Sequence, residues 1–261
     1  MSRIKSAFEK LQARREKGLI TYLTGGDPSL EKTFELILVM ARAGADIIEI
    51  GIPFSDPMAD GPVIQAASNR ALAGGTTVSG VLRMTREVRR ETEIPLVLMT
   101  YYNPVYQYGL EVFCRHAVDA GVDGLIIPDL PYEESRPLQE YADRCGLDLI
   151  PLVAPTSTPE RVAAICSRAR GFIYCVAVTG VTGMRREIET DLEGLSSMVR
   201  TYANLPVTIG FGVSGPESAL KIASFCDAVV VGSAIVNIIG QGAFGEVEKL
   251  TSELKSALVK A

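Results

Sequence analysis

Histidine is almost absent from this sequence, and lysine is missing from every segment that has the pattern of a β-strand. The single histidine, His116, lies within a helical pattern and outside any cluster of histidines and cysteines, which is typical of a scaffold residue. A zinc-assisted aldolase needs such a cluster, and a Schiff-base aldolase needs a lysine amine inside the fold. The sequence therefore predicts neither a metal site nor imine chemistry, which leaves acid/base chemistry by carboxylates.

Paired cysteines, basic runs and long apolar segments are missing as well. The five cysteines are scattered and form no Cys-x-x-Cys pair, which is typical of reduced thiols in a cytoplasmic protein. The net charge is −5 and no Lys/Arg run occurs, so nucleic acid and anionic membranes are not expected partners. No apolar run approaches the roughly 20 residues needed to cross a bilayer, and the N-terminus lacks the apolar region of a signal peptide. We expect a cytoplasmic protein.

Short apolar runs with many β-branched residues recur along the chain, and amphipathic segments separate them. The eight runs are Leu19–Leu23, Asp46–Ile50, Leu96–Thr100, Gly124–Ile127, Asp148–Leu152, Phe172–Val176, Val207–Gly210 and Ala228–Val231. Strands that alternate with helices predict an α/β protein with a parallel sheet, and eight such units predict a closed (β/α)8 barrel, or TIM barrel. The chain has 261 residues and no linker interrupts it, so we expect one domain over residues 1–261.

Two additions to a minimal barrel are expected. Apolar residues at helical spacing before the first strand predict an extra N-terminal helix; they are Ile4, Phe8 and Leu11. The longest gaps between runs follow the second and sixth strands, which predicts long loops or added helices there. Ser29 and Thr158 stand at predicted helix starts, and Ser214 with Glu217 fits a capping box.

The segment from Asp46 to Gln65 contains the candidate catalytic residues. Glu49 lies inside an apolar strand, where an ionised carboxylate is costly to desolvate. Asp60 follows in the loop at the carboxyl end of that strand, where α/β folds place their chemistry. Two carboxylates at one loop predict acid/base catalysis. An internal ion pair for Glu49, and a turn or helix cap at Asp60, are the structural alternatives.

Glycines follow the last three strands. The motifs are Thr182-Gly183, Gly210-Phe211-Gly212 and Gly232-Ser233. Loops after strands seven and eight of a (β/α)8 barrel commonly bind phosphate through backbone N–H groups and a helix N-terminus. We therefore predict a phosphate site, with tight βα turns as the alternative. The segment Val178 to Arg186, rich in glycine and threonine, predicts a lid that closes over the ligand, and a surface loop is its alternative.

Taken together, these motifs resemble the tryptophan synthase alpha chain family. The longest motif extends from Glu49 to Gln65, and its sequence is Glu-Ile-Gly-Ile-Pro-Phe-Ser-Asp-Pro-Met-Ala-Asp-Gly-Pro-Val-Ile-Gln. The others are Tyr22–Pro28, Met99–Pro104, Ile127–Pro131, Val178–Gly183, Gly210–Gly212 and Gly232–Val236, so the resemblance covers almost the whole chain. It implies a TIM-barrel lyase that cleaves indole-3-glycerol phosphate to indole and glyceraldehyde 3-phosphate in tryptophan biosynthesis.

The resemblance also implies a role for individual residues. Glu49 and Asp60 would be the catalytic pair, with Asp60 accepting the indole N–H bond and Glu49 moving protons in a retro-aldol reaction without metal or imine. The implied residues of the indole pocket are Tyr22, Ile64, Tyr101, Ile127, Tyr174 and Phe211. The implied phosphate-binding residues are Gly183, Gly212, Gly232 and Ser233, with Thr182 as the lid residue that meets Asp60.

A partner chain is implied as well. The family works with a beta chain that carries pyridoxal phosphate, so we expect no cofactor on this chain and a heterotetramer of two alpha and two beta chains. The implied contact residues are Pro53, Asp56, Asn103, Asp129 and Pro131. Tyr22 stands where some members have phenylalanine, which adds a polar group near the ring. A stand-alone indole-3-glycerol phosphate lyase and a catalytically weak barrel that regulates a partner enzyme are the alternatives.

Overall fold

Nine parallel strands form the wall of a barrel in the computed structural model, which describes residues 2–176, 191–210 and 212–261. The strands are β1 (Gly18–Thr24), β2 (Ile47–Gly51), β3 (Leu96–Met99), β4 (Gly124–Ile126), β5 (Asp148–Leu149), β6 (Leu152–Val153), β7 (Ile173–Val176), β8 (Val207–Gly210) and β9 (Ala228–Val231). Their order around the sheet is β5-β4-β3-β2-β1-β9-β8-β7-β6. Each strand therefore lies beside its neighbour in the chain, as a barrel of successive βα units requires.

The two end strands, β5 and β6, are the halves of one barrel strand. The sequence predicts a continuous strand here, but Pro151 has no N–H to donate, and the ladder is interrupted. The Ile150 N–H donates to the Leu125 carbonyl at 2.9 Å, and the Tyr174 N–H donates to the Pro151 carbonyl at 3.0 Å. The same segment thus bonds to β4 on one side and β7 on the other and closes the barrel. The predicted (β/α)8 fold is confirmed.

Helices cover the outside of the barrel. They are α1 (Arg3–Arg14), α2 (Leu30–Arg42), α3 (Pro62–Ala73), α4 (Val78–Glu91), α5 (Tyr102–Tyr108), α6 (Leu110–Asp119), α7 (Arg136–Cys145), α8 (Pro159–Arg168), α9 (Leu192–Tyr202), α10 (Pro216–Ala223), α11 (Ser233–Gly240) and α12 (Phe244–Leu258), with a 3-10 turn at Tyr132–Glu134. The long gap after β2 contains a loop over residues 52–61 and the added helix α3. The long loop predicted after the sixth barrel strand falls on residues 177–190, outside the described residues.

Two of the three predicted helix starts agree with the structure. The Ser29 hydroxyl accepts a bond from the Lys32 N–H at 3.2 Å, and the Thr158 hydroxyl accepts one from the Arg161 N–H at 3.3 Å. The capping box predicted at Ser214 is wrong, because α10 has Gly215 as its N-cap. The Ser218 hydroxyl satisfies the N–H groups at this end instead, since it accepts from Gly215 at 3.2 Å.

Strand side chains form two apolar clusters, one on each face of the barrel wall. The outer cluster lies between wall and helices and includes Leu19, Ile48, Ile50, Leu98, Ile127 and Val229. The barrel-interior cluster includes Ile20, Ile47, Val97, Ile126, Ile150, Phe172, Tyr174 and Val230, together with Ile4, Phe8 and Leu11 of α1. Leu11 and Ile4 reach Gly18 and Gly124, the first residues of β1 and β4. The predicted N-terminal helix therefore closes the amino end of the barrel and leaves the carboxyl end open for chemistry.

The single histidine and the cysteines belong to the scaffold. His116 lies on α6, and its Nδ1 is 2.9 Å from the Tyr108 hydroxyl. All five cysteines are free. Among the described residues, no group of three histidine, cysteine or acidic side chains is placed to hold a metal ion. Within the same ranges, no helix combines the length and the apolar character that crossing a membrane requires.

The closure by α1 predicts a specific loss of stability. Phe8 is 7% exposed, and its ring centroid lies 5.9 Å from that of Phe172. We expect Phe8→Ala to lower the free energy of unfolding by about 3–5 kcal/mol, because it removes a buried ring and leaves a cavity. Urea unfolding measures the change. Val259→Ala, at a position 44% exposed, serves as the control and should shift stability by less than about 0.5 kcal/mol. Equal effects of the two substitutions would contradict the role of α1.

Candidate active site

Glu49 lies on the interior face of the barrel wall. In β2, Ile47 belongs to the barrel-interior cluster, whereas Ile48 and Ile50 belong to the outer cluster. Side chains alternate along a strand, so Glu49 shares the inner face with Ile47. In the sheet register, it stands between Tyr22 of β1 and Val97 of β3.

The carboxyl group of Glu49 is buried, and no positive charge compensates it within the part of the chain that the structure describes. Glu49 is 1% exposed, and its Oε2 has no hydrogen-bond partner among the described residues. Burial, and then the negative charge of Asp60, raise the pKa of Glu49 to about 8. At neutral pH the group is therefore a carboxylic acid, which can donate a proton.

Asp60 supplies the second carboxyl group, in the loop after β2. It lines a small pocket together with Tyr22, Met99 and Tyr101. Burial raises the pKa of Asp60 to about 6, and a hydrogen bond from the Tyr101 hydroxyl opposes that rise. Asp60 is therefore mostly ionised at neutral pH while Glu49 holds a proton. Neighbouring groups whose pKa values are pushed apart in this way can act as an acid and a base.

The helix that follows Asp60 is anchored by an ion pair whose carboxylate is buried and whose arginine is exposed. Arg70 of α3 donates two hydrogen bonds to the Asp27 carboxylate, at 2.8 and 2.7 Å. Asp27 is 1% exposed and lies in the turn after β1. The Gln65 amide adds a bond of 2.8 Å to the Asp60 carbonyl. These bonds connect the Asp60 loop to the barrel end. Asp27 and Arg70 are far apart in sequence, so no local motif predicts their ion pair.

Tyr22 and Tyr174 each extend over a glycine at a strand end. A Cβ added at Gly51 would stand 2.1 Å from the Tyr22 hydroxyl, and one at Gly210 would stand 2.1 Å from the Tyr174 hydroxyl. Any larger residue at either glycine would displace a tyrosine. Burial, and then the nearby carboxyl groups, raise the pKa of both phenols, so they stay neutral hydrogen-bonding groups.

The remaining residues predicted for the indole pocket do not all lie on the same face of the barrel wall. Ile64 packs in a small cluster with Tyr22 and Val236. Ile127 belongs to the outer cluster, whereas its neighbour Ile126 lies in the barrel-interior cluster. The sequence alternation separates these two residues but does not say which one faces inward. Phe211 lies outside the described residues.

Two of the predicted phosphate loops are described. Gly212 follows β8 with a φ of 59° and open space where a Cβ would stand. Gly232 is the N-cap of α11, and the exposed Ser233 is its first residue. Because β8 and β9 are neighbours in the sheet, both loops lie at the same part of the rim, where a helix N-terminus favours an anion. Thr182 and Gly183 lie outside the described residues.

The predicted contact residues lie in the loops after β2 and β4 and at the start of α5, which follows β3, and these three strands are neighbours in the sheet. Asp56, Asn103, Asp129 and Pro131 are exposed, whereas Pro53 is buried. A larger cavity of about 510 Å³ opens next to these loops, beside the fifth strand position. Arg161, Arg168 and apolar residues line it, but neither Glu49 nor Asp60 does. It is therefore not the pocket that Asp60 lines.

The burial of Glu49 predicts a pH-dependent cost to stability. Between about pH 5 and about pH 8 the unfolded chain releases a proton that folded Glu49 retains, so the stability of the parent protein falls as pH rises. We expect Glu49→Gln to be more stable than the parent, by a margin that grows by at most about 1.4 kcal/mol per pH unit across this window. Urea unfolding at both ends of the window measures it. A margin that does not change with pH would contradict the raised pKa.

Comparison with known proteins agrees with this geometry. A sequence model described as tryptophan synthase alpha chain matches residues 8–260. The tryptophan synthase alpha chain of Thermoanaerobacter sp. (strain X514) is 48% identical over 263 residues, which cover 99% of this chain and 100% of the relative. That of Alkaliphilus metalliredigens (strain QYMF) is 51% identical over 242 residues, which cover 93% and 91%.

Solved structures agree as well. Tryptophan synthase subunit alpha from Legionella pneumophila str. Paris superposes with a TM-score of 0.90 at 38% identity, over 100% of both chains. A chain of Mycobacterium tuberculosis tryptophan synthase gives a TM-score of 0.91 at 37% identity, over 98% of both chains. The resemblance carried by the motifs is thus confirmed. The chain belongs to the tryptophan synthase alpha chain family, and its activity is that of an indole-3-glycerol-phosphate lyase in tryptophan biosynthesis.

Proposed function

We propose that Glu49 and Asp60 carry out the cleavage of indole-3-glycerol phosphate by proton transfer alone. The observation that supports this assignment is the pair of unequal pKa values at the end of one strand, about 8 for Glu49 and about 6 for Asp60. One group is an acid and the other a base at the same pH, so no metal or imine is needed to polarise the substrate.

The proposed reaction is a retro-aldol cleavage. The protonated Glu49 donates its proton to C3 of the indole ring, and the Asp60 carboxylate accepts a hydrogen bond from the ring N–H and stabilises the positive charge that forms. The Glu49 carboxylate then removes the proton of the hydroxyl on the carbon next to the ring. As that oxygen becomes the aldehyde, the carbon–carbon bond breaks, and its electrons restore the neutral indole. Glu49 ends the cycle protonated, as it began.

Separate groups of residues would bind the two ends of the substrate. For the indole ring we propose Tyr22, Ile64, Tyr101, Tyr174 and Phe211, with Ile126 in place of Ile127 because it lies on the inner face. For the phosphate we propose Gly183, Gly212, Gly232 and Ser233, with Thr182 in the lid. The helix N-terminus at Gly232 and the open space at Gly212 support an anion there.

We also propose that the loops after β2, β3 and β4 bind a beta chain, in a heterotetramer of two alpha and two beta chains with pyridoxal phosphate on the beta chains. Asp56, Asp129 and Pro131 are exposed on the loops after β2 and β4, and Asn103 is exposed at the start of α5, after β3. Met58 and Tyr106, in the loop after β2 and in α5, are large apolar residues that are 85% and 60% exposed. Exposed apolar side chains among polar ones are typical of an interface. The five free cysteines support a cytoplasmic location.

Two substitutions test whether catalysis and phosphate binding use different groups. We expect Glu49→Gln to lower kcat by at least about a hundredfold, because the proton donor is lost, while the affinity for a phosphate-bearing ligand stays within about twofold. We expect Gly212→Asp to weaken that affinity instead, because it puts a carboxylate against the phosphate. Indole release and ligand titration measure the two quantities.

Gly242→Asp is the matched control for Gly212→Asp. Gly242 has a similar φ of 73° and open space around it, but it lies in the turn between α11 and α12. It imposes comparable backbone strain without a charge at the phosphate loops, so affinity should be retained. Normal turnover by Glu49→Gln would refute the assignment of the proton donor.

A beta chain should bind and activate this chain through the loop that contains Asp56. We expect indole release to increase when a beta chain is added, and Asp56→Ala to weaken that response while the activity of the isolated chain is unchanged. Asp119→Ala, at an exposed aspartate at the end of α6, is the control. An equal response in the two variants would argue against this interface, and full activity with no response to any beta chain would favour a stand-alone lyase.

A further inference from the structure

One tyrosine joins the Asp60 loop to the barrel. Tyr101 lies two residues after the end of β3, is the N-cap of α5 and is 5% exposed. Its hydroxyl oxygen accepts a hydrogen bond of 2.9 Å from the Ala59 N–H. The two residues are far apart in sequence, so this bond fixes the residue before Asp60 to the segment that connects β3 to α5.

The same hydroxyl can also donate a hydrogen bond. Because its oxygen accepts from Ala59, its own hydrogen is free to be donated, and Asp60 lies in the same small pocket. A donor to the carboxylate favours its ionised form. One phenol group can therefore fix both the position of Asp60 and its charge.

Two further contacts fix the position of Tyr101, one through its ring and one through the backbone of the next residue. Its centroid lies 5.3 Å from that of Phe54, in the loop that leads to Asp60. The next residue, Tyr102, donates its N–H to the Asp129 carboxylate at 2.8 Å, in the loop after β4. Three neighbouring loops thus meet at Tyr101, and these are the loops proposed to contact the beta chain.

We propose that Tyr101 is a positioning residue for Asp60, which holds the carboxylate ionised and in place through the bond to Ala59 and a bond to Asp60 itself. This inference rests on the proposed role of Asp60 in cleavage and goes beyond the contact with the indole ring that the family resemblance implies. It assigns the hydroxyl, rather than the ring, to the reaction.

Tyr101→Phe tests the inference, because it retains the ring and removes only the hydroxyl. We expect kcat for indole release to fall on the order of tenfold, the worth of one hydrogen bond to a charged group, with KM changed by less than about threefold. Without the donor the pKa of Asp60 rises, so the acidic limb of the pH profile of kcat/KM should move to higher pH.

Tyr102→Phe is the matched control, since it removes a hydroxyl from the next residue, whose ring packs against Tyr106 with centroids 6.0 Å apart. Its kcat and pH profile should equal those of the parent. Asp60→Asn separates this inference from the proposed function. If Asp60→Asn still cleaves the substrate, the proposed function fails.

If Asp60→Asn is inactive but Tyr101→Phe keeps the kcat and pH profile of the parent, only the positioning role is overturned. A fall in kcat with no shift of the acidic limb would overturn it too, because a merely structural contact would behave in that way.

Discussion

The site depends on a carboxyl group that is buried in the barrel wall and has no cation beside it among the described residues. Glu49 stands between strands whose inner faces are apolar, and Asp60 adds a negative charge nearby rather than a positive one. In such surroundings the ionised form is unfavourable, so the folded protein keeps the proton. The fold thereby maintains an acid at neutral pH, with a reactivity that an exposed glutamate does not have. Replacing the group by an apolar residue would favour folding and remove the chemistry.

The amino end of the barrel contributes to stability, and the carboxyl end contains the residues proposed for the chemistry. At the amino end, α1 inserts apolar side chains against Phe172 and the first residues of the strands. At the carboxyl end, polar contacts fix the loop that carries Asp60, through the ion pair of Asp27 with Arg70 and the bond from Ala59 to Tyr101. Because the amino end is tightly packed, the loops at the carboxyl end can depart from regular structure without loss of the fold.

Much of the fold follows from local sequence patterns, and much of the site does not. The apolar runs predict the barrel, because each strand is short and buried on both faces. Pro151 splits the fifth strand, and Ser218 caps α10 instead of Ser214, since both depend on hydrogen bonds that neighbouring segments supply. Glu49 is predictable because a charge in an apolar run is unusual in itself.

The placement of other site residues depends on contacts between distant segments. Alternation distinguishes Ile126 from Ile127, but only the closed barrel decides which of them faces inward. The link from Tyr101 to Ala59 crosses from one strand end to another, so no motif reveals it. Sequence patterns identify residue types and strand ends, and tertiary packing then determines which side chains meet.

The most direct measurement is the titration of the Glu49 carboxyl group itself. Infrared difference spectroscopy between the parent and Glu49→Gln isolates its carbonyl band. We expect a protonated carboxylic acid at neutral pH that ionises with a pKa of about 8. A carboxylate that is already ionised at neutral pH, with a pKa near the ordinary glutamate value of about 4.3, would contradict it.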